Sequence, residues 1–398
     1  MSESYITYCD NDFKLSEEFV KVTLGLDNFY KLQQTSVKNE FLKTEGLVPV
    51  NLTKTTPYLI NSFEEAIENY TRLYQKMNCI KNELRREYMA KQVTGMIAYI
   101  RYLNGEEHSF RQVVRNSLYV DSNPVPEIKI NRIHEKLNLQ LSEAGFKGSL
   151  VEKYRAYFEE RKVNQDEMAS VLTELLTEAK KDVESFMFKD ISELNATPQL
   201  VNDVPFSAYA DYSSRKMLIN ADYNYTYESL KHLVAHEVFP GHFTHLFRRE
   251  KMMNEGKIPV DAGLVITNSA SSPIFEGIAD CGLTFLGWDE TVYDEIAKTV
   301  QLLKMCTTLN ASYLLNELSW SEEKVKAYLE EKAFGEESWI KSRVSFIKDF
   351  IRGPFIYAYH RGFETLHPIV SNVPKEEKHI FYSALYENML TADELKLF

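Results

Sequence analysis

This chain lacks most of the signals that mark phosphate, nucleic-acid or membrane chemistry. It has no glycine-rich phosphate loop, no heptad array, no low-complexity tract and no clear repeat. Its four cysteines, Cys9, Cys79, Cys281 and Cys306, are scattered and form no CxxC pair. That argues against a disulfide framework and for free thiols in a reducing compartment. No apolar run is long enough to span a bilayer. The opening Met1-Ser2-Glu3-Ser4-Tyr5 shows no basic segment followed by an apolar stretch, so no secretory signal is read. The net charge is −12, with no basic stripe. This balance argues against nucleic acid and anionic membrane surfaces as partners. The expectation is a cytoplasmic protein, with the oligomeric state left open.

What is present is material for a large core. The 398 residues are 44% hydrophobic and 13% aromatic. Over the first 190 residues, apolar positions recur at helical spacing, as in Ile67, Tyr70, Leu73, Tyr74, Met77 and Ile80, then Met89, Val93, Ile97 and Ile100. The stretch from Phe63 to Tyr102 reads as two helices or one long bent one. Further helices are expected over Ser16–Leu32, Phe110–Val120, Pro126–Ala144, Leu150–Lys162 and Asp166–Phe188. Pro198 to Tyr225 loses this period. Two short runs around Ser213-Ser214-Arg215 read as a β-hairpin. Helices return at Leu230–Phe239, His242–Asn254, Pro273–Leu286, Glu290–Leu318, Ser321–Ala333, Glu336–Phe350, Pro354–Leu366 and Lys375–Glu387. The expected fold is mainly α, two-lobed around a cleft, with the hairpin on the cleft wall. The N-terminal lobe is placed at 1–195 and the catalytic lobe at 196–398.

Four of the nine histidines, His232, His236, His242 and His245, fall within 14 residues. His236-Glu237-Val238-Phe239-Pro240-Gly241-His242 reads as H-E-x-x-H with a Pro-Gly pair inserted before the second histidine. In an uninterrupted motif, two imidazoles hold zinc and the Glu takes a proton from the metal-bound water. Histidines four apart lie about 40° apart around a helix, whereas histidines six apart lie roughly 240° apart. Either the helix breaks at Pro240 and both rings meet one metal, or this is no metal site. Pro240 cannot donate to the carbonyl of His236, and Gly241 can take φ values that let the chain bulge. A looped-out Pro-Gly would return His242 to roughly the i+4 position.

A third ligand is expected downstream. Glu276 lies 34 positions after His242, and Asp280 shares its helix face at i+4. Glu276 would bind one zinc ion, and Asp280 would accept the free ring N–H of a ligand histidine. Gly277 would admit a second backbone. Three alternatives stand beside this assignment. His232 and His236 could form the pair, His245 could replace His242, or the helix break could carry incidental histidines. Cys281 reads as packing, and His134-Glu135 is no second motif because Asn138 stands where a partner histidine would be.

With these residues in view, the chain resembles a large bacterial family of zincin-like proteins that carry H-E-x-x-P-G-H and a later E-G-x-A. That family groups with the gluzincin metallopeptidases, with carboxypeptidase Taq and the oligopeptidases as distant helical relatives. The match is best from about Phe206 to Leu366, and it rests on His236 to His242 and on Glu276-Gly277-x-Ala279. It implies zinc on His236, His242 and Glu276, with Glu237 as base. It also implies a late tyrosine, matched by Tyr359-His360-Arg361-Gly362. His245 stands where the family usually has Gln, Asp280 where it has an apolar residue, and the usual Gln before the tyrosine is missing.

The expected activity is zinc-dependent hydrolysis of short peptides. Tyr359, or else His360, would donate to the oxyanion. The hairpin, with Tyr209, would pair with an extended substrate. Arg352 would grip a terminal carboxylate. Hydrolysis of a non-peptide amide or ester, or a non-catalytic binding protein with a vestigial site, are the rival expectations.

Overall fold

The computed structural model describes residues 6–34, 45–374 and 376–397. The stretch Met1–Tyr5, read for a leader, and Lys375, read as a helix start, lie outside them. The fold is mainly helical with a small amount of sheet. The helices are α1 (Asp10–Gln33), α2 (Phe63–Gln75), α3 (Glu83–Leu103), α4 (Phe110–Leu118), α5 (Glu127–Glu143), α6 (Leu150–Arg161), α7 (Met168–Phe186) and α8 (Tyr227–Glu237). They continue with α9 (His242–Asn254), α10 (Ser272–Asp280), α11 (Gly282–Leu286), α12 (Val292–Asn316), α13 (Glu322–Ala333), α14 (Glu337–Lys348), α15 (Arg352–Asn372) and α16 (Lys378–Glu387).

The long stretch from Phe63 resolves into two helices. A 3₁₀ turn over Met77–Cys79 separates them, and Asn82 then caps α3 by accepting from the Arg85 amide. An Asn at this position satisfies a backbone donor that a continuing helix would leave unpaired. The expected single helix over Pro273–Leu286 is likewise split, into α10 and α11, at Cys281.

The strands are β1 (Val50–Asn51), β2 (Thr197–Val201), β3 (Ala208–Asp211), β4 (Lys216–Asn220) and β5 (Leu264–Val265). β3 and β4 form the hairpin expected around Ser213-Ser214-Arg215, with Ala208 opposite Ile219 and Asp211 opposite Lys216. A third strand, β2, runs parallel to β4, giving the order β2-β4-β3. Its sequence hides it, because Pro198 depletes the strand signal. Pro is tolerated there because β2 is an edge strand.

Two compact units divide the chain. One takes Met1–Ser122, His245–Ile274 and Val373–Phe398, and the other takes Asn123–Thr244 and Phe275–Asn372. Residue 196 therefore lies inside the second unit. In the first unit a buried ion pair joins Arg85 to Asp261, at 2.7 Å and 2.9 Å, and Ser16 also donates to Asp261. No helix among the described residues is long and apolar enough to cross a membrane.

In the second unit the hairpin and α8 are fastened together. The Tyr225 hydroxyl donates to the carbonyls of Ser207 and Asn220, both at 3.0 Å. Thr226 caps α8, and Glu228 in its first turn pairs with Arg161 of α6. Leu230 and Val234 bury the inner face of α8. These ties fix where its last turn, which carries His236 and Glu237, ends.

Candidate metal centre

The motif helix stops at Glu237, two residues earlier than its periodicity suggests. The backbone stays hydrogen-bonded through the break. Val238 and Phe239 both donate to the Val234 carbonyl, and Gly241 donates to that of Ala235 at 2.9 Å. The Thr244 amide and hydroxyl both donate to the Val238 carbonyl, at 3.1 Å and 3.0 Å, as α9 begins. The Phe239–Pro240 bond is cis.

Gly241 does not serve through the unusual φ that its sequence suggests, since it is absent from the residues with positive φ. A Cβ there would sit 1.7 Å from the His236 carbonyl oxygen. Glycine is required because the restarting chain lies directly against the end of α8. The turn is thus a close contact rather than an outward bulge, and it brings His242 back toward His236. Their ring centroids are 4.7 Å apart and nearly perpendicular, at 84°.

α10 supplies the carboxylates, and glycines again set the approach. A Cβ at Gly277 would lie 2.7 Å from the backbone of Gly362 in α15, and one at Gly282 would lie 2.7 Å from the Ala235 carbonyl oxygen of α8. The crossing puts Glu276 between the two histidines. His236 Nε2 and His242 Nε2 lie 3.5 Å and 3.6 Å from Glu276 Oε2. A tetrahedral zinc with ligands at its usual distances of 2.0–2.1 Å would separate them by about 3.4 Å. The three ligand atoms all fall within 4.8 Å of one another.

All three side chains are buried. Glu276 Oε2 has no hydrogen-bond partner, an arrangement costly for a buried carboxylate and ordinary for one that binds a cation. The donor set and this orphaned oxygen fit a zinc ion.

Asp280 orients the first histidine. Its Oδ1 accepts from His236 Nδ1 at 3.0 Å, which directs Nε2 toward Glu276. Carboxylate–histidine pairs of this kind fix the tautomer of metal ligands. Burial disfavours the charge of His236, but the neighbouring Asp280 outweighs it and raises the ring well above the ordinary histidine range. Burial likewise opposes ionisation of Glu276, and His242 and His236 overcome it, holding the carboxyl down to about 2. Entry of a cation would displace the extra proton from His236. His242 is oriented differently. Its Nδ1 has no hydrogen-bond partner, and its ring stacks on Phe275 at 4.4 Å and 11°.

The other residues named from sequence separate. His236, Glu237, Asp280 and Tyr359 line one pocket of about 180 Å³. Burial raises the pKa of Glu237. The Tyr359 ring stacks along His236 at 6.3 Å and 25°. His360 does not line that pocket; it is buried near Glu364, its Nδ1 3.8 Å from the carboxylate, and burial lowers its pKa to about 3. Consecutive residues on a helix point about 100° apart, so α15 directs only one of this pair at the pocket.

Phe206, Ser207 and Ala208 line the pocket and Tyr209 does not; its ring packs 5.3 Å from that of Phe206. Arg352 is also outside the lining, with its guanidinium 5.1 Å over the Phe346 ring. His245 packs against Tyr386 in the first unit. His232 lines the pocket, its Nε2 3.7 Å from Asp280 Oδ1, and with His236 and Asp280 it forms a second cluster of metal-ligand type.

Sequence reading missed Lys304 of α12 and Trp339 and Arg343 of α14, which face the same pocket. Nothing local marks them, because they come from helices 60 to 100 residues past the motif.

No family model matches the chain, and no curated protein does. Solved structures do match, two among them being described as putative lipoproteins. One is described as a "putative lipoprotein from Colwellia psychrerythraea", with 14% identity and a TM-score of 0.53 over 84% of this chain. This chain spans 65% of that one, just under two thirds of its length. The other is described as a "putative lipoprotein of unknown function from Shewanella oneidensis", with 12% identity and a TM-score of 0.54. That match covers 96% of this chain and 82% of the other.

At these identities the likeness is one of fold. It nevertheless corrects two expectations. The like-folded proteins are described as a putative lipoprotein and a putative lipoprotein of unknown function, so the peptide-cleaving function read from the motif is withdrawn. Both matches are described as lipoproteins, so the cytoplasmic placement is withdrawn as well.

Proposed function

We propose that the protein is a mononuclear zinc enzyme, with the ion held by His236, His242 and Glu276. The observation that supports this most directly is the buried Glu276 Oε2 set 3.5 Å and 3.6 Å from two imidazole nitrogens. Zinc bound there would act as a Lewis acid and lower the pKa of a coordinated water. Glu237 is the proton acceptor. It is buried at the wall of the pocket, and its neighbour His236 is locked by Asp280. A carboxyl whose pKa is raised by burial is better matched to accepting and returning a proton near neutrality than an ordinary Glu. Tyr359, stacked along His236, has its hydroxyl available as a neutral donor, since burial raises its pKa well above the ordinary range.

The zincin-like arrangement, in two lobes, is proposed on the same ground: a broken motif helix followed by a glutamate helix. The substrate is a small molecule able to enter the pocket of about 180 Å³.

The test is metal content. Protein purified without added metal should carry about one zinc per chain by inductively coupled plasma mass spectrometry. His236→Ala, His242→Ala and Glu276→Ala should each lose it, while Glu237→Gln, His232→Ala and His245→Ala should keep it. Full zinc occupancy in His242→Ala would sink the ligand assignment.

A further inference from the structure

Two cations face the pocket beside the metal centre, and neither is neutralised. The Lys304 ammonium makes no hydrogen bond or ion pair among the described residues, and it sits 5.2 Å from the Trp339 ring centroid. Arg343 also has no carboxylate partner, and its Nε is buried without a hydrogen-bond acceptor. The guanidinium is 5.3 Å from the Phe346 ring centroid. Other deeply placed cations of this chain are paired, Arg85 with Asp261 and Lys231 with Asp294, although Arg249 in the first unit, like Arg343, has a buried Nε without an acceptor. Leaving two cations partly desolvated and close together is unfavourable unless an anion completes them. Burial has already lowered the pKa of Lys304 to about 8 and moved Arg343 in the same direction. The carboxylate of Glu336 acts on Lys304 electrostatically, raising its pKa against the effect of burial, but forms no ion pair with it.

The remaining walls have a different character. Phe206, Met305, Phe346 and Ile356 offer apolar surface in the same pocket. His236 and Glu237 also face it.

We propose that Lys304 and Arg343 form an anion-binding subsite, and that the substrate is a small organic carboxylate with an apolar body. Its carboxylate bridges the two cations, with the guanidinium free to bind it in bidentate fashion. Its body lies on the apolar wall, which places the reacting part toward His236 and Glu237. This assignment takes the zinc reading as its premise, but the two are separable, because neither cation is a metal ligand.

The test is benzoate binding to chelator-treated protein, followed by ligand-observed NMR, with benzamide as the uncharged isostere and inorganic phosphate as a bodiless anion. Metal-free protein removes the route in which benzoate binds the ion itself. Benzoate should bind at least about tenfold more tightly than benzamide and than phosphate. Lys304→Met and Arg343→Met should each weaken benzoate about tenfold or more, the scale of one charge-assisted hydrogen bond. The wild-type comparison of the three probes stands even if a variant fails to fold, and Lys304→Gln offers a second variant.

Equal binding of benzoate and benzamide would overturn the proposal. So would tighter binding of phosphate, or benzoate binding that requires metal and ignores both substitutions. Protein that carries no zinc as purified, before any chelator, yet binds benzoate through these residues would instead remove the zinc reading and leave the subsite standing.

Discussion

Glu276, His236 and His242 can meet only because each is turned by something specific. Asp280 turns His236 through its Nδ1, Phe275 turns His242 by stacking, and Gly282, just past α10, lies against the Ala235 carbonyl of α8. The three supports have different strengths. A hydrogen bond donated by a ligand histidine to a carboxylate is typically worth about 10–100-fold in metal affinity. Asp280→Asn should therefore weaken zinc binding by about that factor while leaving the stoichiometry at saturation unchanged, as measured by competition with a chromophoric chelator. Unchanged affinity would mean that packing alone holds His236.

Between α8 and α9, the decisive contact is backbone on backbone. The space for a Cβ at Gly241 is taken by the His236 carbonyl, and no side-chain movement can relieve an overlap between main chains. Gly241→Ala should therefore destabilise the protein by several kcal/mol, beyond the roughly 1–3 kcal/mol of ordinary overpacking. Gly277→Ala, whose Cβ would lie 2.7 Å from the Gly362 backbone, should fall in that ordinary range. Urea denaturation of the two variants should rank them in this order, and the reverse ranking would refute the close-contact account of the turn. The same comparison separates two uses of glycine. A positive-φ turn residue tolerates Asn, whereas Gly241, with ordinary φ and no room, should not.

At the scale of the whole molecule, the ligands, the orienting Asp280 and the pocket all fall within the second unit, although that unit is assembled from two separated stretches of sequence. A cation bridging α8, α9 and α10 ties the motif turn, which carries His236 and His242, to Glu276, which follows His242 by 34 positions. Binding to the folded state alone stabilises by about 4 kcal/mol when free ligand is a thousandfold above its Kd. Chelation should thus lower the Tm, and zinc, added back, should restore it. A calorimetric scan indifferent to metal would argue that zinc does not bind this fold.

The sequence by itself determined the helical class, the hairpin before the motif, and the chemical identity of the cluster His236, Glu237, His242, Glu276 and Asp280. These are legible because periodicity, turn residues and ligand spacing are local properties. It also suggested peptide cleavage and a cytoplasmic location, and neither survived comparison with solved structures of like fold. The tertiary structure alone decided that Gly241 works by close approach and that Tyr359 rather than His360 faces the pocket. It alone set Tyr209 and Arg352 outside the pocket lining. Lys304, Trp339 and Arg343 enter the site in the same way, from α12 and α14. The physical reason is common to all of these. A side chain's direction is fixed by where its element packs against others, and for α8, α10 and α15 close backbone contacts at Gly241, Gly277 and Gly282 take part in that packing, which no spacing along a single helix reveals.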